Sequence, residues 1–100
     1  MALDFHRLDN EYLFGLEDNQ FDALAEIFEE FKYRTGFVID QYGDFKMSLE
    51  NQQTLIKIVD DYIDKNDLNK NKAKTLAIIE LRTLINYFSQ KKIALQLKGD

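Results

Sequence analysis

Residues 72–98 read KAKTLAIIELRTLINYFSQKKIALQLK, and the hydrophobic period changes inside this one stretch. From Lys72 to Ser89 the apolar residues Ala73, Leu76, Ala77, Ile78, Ile79, Leu81, Leu84, Ile85 and Phe88 cover more than half the circumference of a helix with about 3.6 residues per turn. Such a helix is predicted to be the central, most buried element. From Lys92 to Lys98 the period drops to two, with Ile93, Leu95 and Leu97 on one side, the pattern of a half-buried strand. A chain that needs both periods back to back is α+β, and mainly helical.

Working outward, Lys65 to Asn71 is a polar connector, and the helix before it starts at Ser48, whose hydroxyl suits an N-cap. Gln52, Leu55, Ile56, Val59, Tyr62 and Ile63 form its inner stripe. A first helix begins at Asp18 or Asn19 as N-cap and ends at Thr35 and Gly36, glycine being the residue that takes the left-handed C-terminal cap without a Cβ clash. Phe21, Leu24, Ala25, Phe28 and Phe31 face inward on it. Between the first two helices, Phe37 to Ile39 is β-prone, Tyr42-Gly43-Asp44 is a turn and Phe45 to Met47 is a possible return, so this is a small hairpin or an ordered loop. At the N-terminus two short apolar stretches, Leu3 to His6 and Tyr12 to Leu16, flank a polar Asp9-Asn10-Glu11 cluster, and the C-terminal strand is expected to pair with one of them. The expected architecture is three helices packed around the third, with a small antiparallel sheet from N- and C-terminal strands.

One hundred residues without proline or a Ser/Gly tract make a single domain, residues 1–100, large enough to bury a core unaided. The absence of cysteine removes disulfides, thiolate metal sites and thiol nucleophiles. No secretory signal is read at the N-terminus, and the apolar run Leu76 to Ile79 is far short of the roughly 20 residues that span a bilayer. A cytoplasmic protein with no membrane association is expected.

Chemistry-bearing motifs fail on inspection. Asp67, Asn69 and Asn71 mimic the first three positions of a calcium loop, but Lys72 stands where glycine is needed and Ile78 where a bidentate glutamate closes the sphere. Asp4, His6 and Asp9 supply two carboxylates and one imidazole, a poor metal set without a second histidine. Ser48 and Ser89 lack the nucleophile-elbow context, and the glycines at 15, 36, 43 and 99 are isolated, so no phosphate-cradling loop exists. The reading is a non-enzyme with no cofactor.

Charge carries more information. Residues 1–64 hold fifteen acids against five bases, while residues 65–100 hold three acids against eight bases. The acidic part repels nucleic acid and attracts a basic partner by steering. The only basic cluster, Lys65, Lys70, Lys72 and Lys74, has no arginine and no interleaved aromatic, so direct nucleic-acid binding is not expected. Candidate partner-binding residues are Asp22, Glu26, Glu29, Glu30 and Tyr33 on the outer stripe of the first helix, with Asp40, Tyr42 and Asp44 at the turn. Tyrosine rimmed by carboxylates supplies rigid contact area and pairs with lysine or arginine. Asp60, Asp61 and Asp64 extend the acidic surface.

This profile, with its acidic first half, the stripe from Asp22 to Tyr33, the Tyr42-Gly43-Asp44 turn and no catalytic groups, resembles the small acidic immunity proteins that bacteria encode beside secreted toxins. The resemblance implies a tight, specific complex with a basic toxin, often a nuclease, whose active site is occluded. An acidic nucleic-acid mimic or regulatory adaptor is the alternative, and a small hydrolase or metal-dependent enzyme built on Asp4, His6 and Asp9 is a third.

Overall fold

In the computed structural model, which describes residues 3–40 and 43–99, the elements run β1 (Leu3–Arg7), β2 (Tyr12–Leu16), α1 (Asp18–Ala23), α2 (Ala25–Thr35), β3 (Asp44–Met47), α3 (Leu49–Lys65), α4 (Lys72–Gln90) and β4 (Leu95–Gly99), with a single 3-10 turn at Leu68–Lys70. The four strands form one antiparallel sheet in the order β2-β1-β4-β3, so the C-terminal strand lies between the N-terminal strand and the short edge strand β3. The class is α+β.

Alternation decides which face of the sheet is covered. Leu3 and Phe5 on β1, Leu95 and Leu97 on β4 and Met47 on β3 are buried, while the intervening Asp4, His6, Gln96, Lys98 and Lys46 are not. Ring contacts join the buried face to the helices: Phe14 of β2 stacks on Phe88 of α4 with centroids 5.9 Å apart, and Phe45 of β3 meets Phe31 of α2 edge to face at 6.0 Å. The polar cluster at 9–11 is the β1–β2 turn, in which Asn10 takes a left-handed φ of 74° and Asp9 Oδ1 accepts from the Glu11 N–H at 3.0 Å.

Capping explains the helix starts. Ser48 Oγ accepts from the Asn51 N–H at 3.1 Å, as expected for an N-cap, and Asn71 Oδ1 does the same for Lys74 at 3.1 Å. The first helix differs from its expectation in two ways. Its N-cap is Glu17, one residue early, because Gln20 Oε1 reaches back to the Glu17 N–H at 2.9 Å. It also divides at Leu24, which has φ −98° and ψ 5° and shares its N–H between the Gln20 and Phe21 carbonyls. The division gives four helices where three were expected. On its inner face Leu24, Ile27, Phe28 and Phe31 are buried at i, i+3, i+4 and i+7 spacing, and Ala25, expected to face inward, is exposed.

The helices pack in the sequence α2, α3, α4, with α1 against α4. Being sandwiched, α3 buries Ile58 as well as Gln52, Leu55 and Val59. Gln52 is fully buried and its Nε2 donates to the Ile93 carbonyl at 2.7 Å, which ties α3 to the chain entering β4. Of the helices, α4 contributes most buried residues, namely Ala77, Ile78, Leu81, Ile85 and Phe88. Its apolar circumference nonetheless exceeds what the core covers, and Leu76 remains 66% exposed, with Ile79 and Tyr87 about half exposed on the same side. Residues 37–39 form no strand with β3, so the hairpin alternative is not realised. Instead Ile39 inserts into the core and Phe37 packs 5.3 Å from Phe45, while β3 pairs with β4.

Candidate functional site

With Ile27, Phe28 and Phe31 turned inward, helical geometry places Glu26, Glu29, Glu30 and Tyr33 together on the outward side of α2. The helix end is held firmly. Gly36 takes φ 80° and its N–H bonds the Lys32 carbonyl at 2.8 Å, while Thr35 Oγ1 donates to the Phe31 carbonyl at 2.8 Å. Tyr33 stands 86% exposed in the middle of this face.

The four carboxylates of the stripe are not equivalent. Glu26 Oε1 lies 3.1 Å from Lys74 Nζ of α4. The hydrogen bond from Lys74, then one from Tyr62, holds the Glu26 carboxyl below its ordinary value. Lys74 is held above the ordinary lysine value, first by the Tyr62 hydroxyl and then by Glu26. Glu30 Oε2 is 2.7 Å from Arg34 Nε, and Arg34 also reaches Asp61 of α3 at 3.2 Å, which raises the guanidinium further. Among the described residues, Glu29 and Asp22 are the exposed carboxylates of the stripe that make no ion pair within 4 Å. These two carry the uncompensated negative charge.

Asp22 sits on α1, beyond the break at Leu24. Asp40 is half-buried in the segment after α2, its carbonyl accepting from the Gly43 N–H at 3.4 Å. Asp44 is exposed on the edge strand β3, alternating with the inward Phe45 and Met47. Asp40 and Asp44 therefore belong to a different segment from the α2 stripe, and Tyr42 lies outside the described residues. Of the aspartates expected to extend the surface, Asp60 binds Arg82 at 2.6 Å, Asp61 binds Arg34, and Asp64 is exposed.

No protein-family model matches the chain, and neither does a curated protein or a solved structure. Asp67 and Asn71, two of the calcium-like oxygens, serve as caps of the 3-10 turn and of α4. Asp4 and His6 are half-buried on the other sheet face, paired across the strands with Lys98 and Gln96, whereas Asp9 Oδ1 is engaged in the β1–β2 turn. Among the described residues no group of three His, Cys, Asp or Glu side chains is placed to hold a metal ion, and no helix is long and apolar enough to cross a membrane.

Two surface features were not anticipated from the sequence. A groove of about 120 Å³ runs beside α2, walled by Phe21, Ala25, Phe28, Val38 and Ile39 with Glu29 and Lys32 at its rim. Two wider grooves, of about 420 and 300 Å³, meet at Glu26, Tyr62, Lys65 and Asn66. Their charges alternate in sign and are largely engaged in the Glu26–Lys74 and Glu30–Arg34–Asp61 pairs. The signal for the first groove was the apolar run 37–39, which had no strand partner, together with Ala25.

Proposed function

We propose that this chain is a protein-binding module of inhibitor type, which neutralises a basic partner by laying the outward face of α2 over the partner's working surface. A cognate toxin, in particular a nuclease with a positive cleft, is the partner that this reading favours. The observation that carries it is the pairing of an 86% exposed Tyr33 with the uncompensated Glu29 one turn before it. A tyrosine ring gives large contact area with two rotatable bonds to freeze, so it anchors an interface at low entropic cost. A lone carboxylate beside it supplies steering and a partner for lysine or arginine. Inhibition is then steric occlusion and needs no catalytic group on the chain.

The test is an affinity pull-down from the source cell lysate at low and at moderate salt, with wild-type and Glu29→Lys/Tyr33→Ser bait. One stoichiometric basic protein retained by the wild type at moderate salt and lost from the variant supports the proposal. Many basic proteins leaving together as salt rises favours the nucleic-acid mimic, and equal retention by both baits removes α2 from the interface.

A further inference from the structure

The core leaves one stripe of α4 uncovered. At three- and four-residue steps Leu76, Ile79, Thr83 and Tyr87 all face solvent, along a helix about 28 Å long. Two exposed charges on the stripe, Glu80 and Lys91, make no ion pair within 4 Å among the described residues, and the Lys91 ammonium lies 5.9 Å from the centre of the Tyr87 ring. Glu80 and Lys91 are separated by three turns and by about 20° of rotation, so they follow the same edge of the stripe. The exposed Lys72 stands about 80° from Glu80, on the opposite edge.

We infer that α4 docks antiparallel against α4 of a second copy of this chain, about a two-fold axis beside Thr83 and Leu84. Charge selects the occupant. A partner of one sign is attracted at one end of the Glu80–Lys91 edge and repelled at the other. A two-fold antiparallel contact instead brings the same edge of both helices together in reverse order, so the acid and the cation of each copy meet their opposites and the pair forms twice. With the axis at this level Glu80 lies one turn, about 5.4 Å along the helix, from Lys91 of the other copy, a gap that the two side chains span. Ile79 then falls beside Tyr87 of the other copy, and Leu76 against the alkyl stem of its Lys91. Lys72 keeps to the opposite edge, away from both copies of Lys91. One helix face per copy buries less than the roughly 1,200 Å² of total area typical of stable interfaces, so the dimer is weak and reversible, with a dissociation constant on the order of 0.1 mM. No residue of α2 belongs to the stripe, so this contact is independent of the basic partner.

Sedimentation equilibrium of the full chain from about 10 μM to about 1 mM tests this, with circular dichroism to verify that each variant is folded. Wild type should pass from monomer to dimer and stop there. Leu76→Ser/Ile79→Ser should stay monomeric, whereas Glu29→Lys/Tyr33→Ser, altered only on α2, should dimerise as wild type does. Glu80→Lys and Lys91→Glu should each weaken the dimer at least about tenfold, and an equimolar mixture of the two should recover it, because each then supplies the charges that the other lacks. Wild type that remains monomeric, growth past the dimer, a dimer that survives Leu76→Ser/Ile79→Ser, or one lost in the α2 variant overturns the inference. A mixture no tighter than either charge variant alone overturns it too, because Glu80 and Lys91 then do not meet.

Discussion

Lys74 Nζ lies 3.1 Å from Glu26 Oε1 and 5.2 Å from the centre of the Tyr62 ring, so one ammonium joins α2 to α3 and α4. Arg82 with Asp60 joins α4 to α3 in the same manner, at 2.6 Å. The negative charge of the first half is thus partly consumed by the basic second half of the same chain. What remains for a partner is narrower than the acid count suggests.

Glu26 and Glu29 should therefore behave differently although they are three residues apart. Glu26→Gln is expected to lower stability by a few tenths to about 1 kcal/mol, the range of an exposed ion pair, and Glu29→Gln to leave it within about 0.5 kcal/mol. Thermal unfolding of both variants checks this. An equal loss in both would mean that the Lys74 contact contributes nothing.

The same pairs set an acid-side dependence. Glu26 is held below its ordinary value by Lys74 and Tyr62, and Asp60 below its own by Arg82. A carboxyl depressed in the folded state contributes stability that is complete above its unfolded value and is lost as pH falls through the folded one. Relative to a Glu26→Gln/Asp60→Asn variant, the wild type should be more stable at neutral pH, with the difference closing below about pH 4. A difference that stays constant from pH 7 to pH 3 would contradict the assignment.

Opposite faces of α4 give the third expectation. Leu81 is buried and Leu76 is 66% exposed. Leu81→Ala should cost about 2–5 kcal/mol, since it leaves a cavity in packed surroundings, whereas Leu76→Ser should change stability by no more than about 0.5 kcal/mol. Denaturant unfolding of the two variants reads out the helix register directly.

Gly36 ends α2 with φ 80°, and a Cβ built there meets no atom within 4 Å. The cost of Gly36→Ala is then backbone strain alone, about 1 kcal/mol. A neutral result would mean that the left-handed cap relaxes without cost.

Much of this fold is written in local pattern. The change of period between Phe88 and Leu95, the serine cap at 48, the glycine stop at 36 and the inward Gln52 all follow from spacing and side-chain chemistry. Tertiary context decides the rest. The irregularity at Leu24 has no glycine or proline to announce it, whereas the inward Ile27 falls on the face of Leu24, Phe28 and Phe31 by helical spacing alone. The run 37–39 has β-prone residues, but the core needs Ile39 as a plug and β3 finds its partner in distant β4. In the site, the stripe of Glu26, Glu29, Glu30 and Tyr33 was legible from helical spacing. Their unequal freedom was not, because Lys74 lies 48 residues from Glu26 in the chain.

The most direct test of the central claim is the association rate of the chain with its captured basic partner as a function of ionic strength, for wild type and Glu29→Lys. The wild-type rate should fall steeply with salt, and the variant should start slower and fall less, so that the two converge at high salt. Identical rates and identical salt slopes would place the interface somewhere other than the outward face of α2.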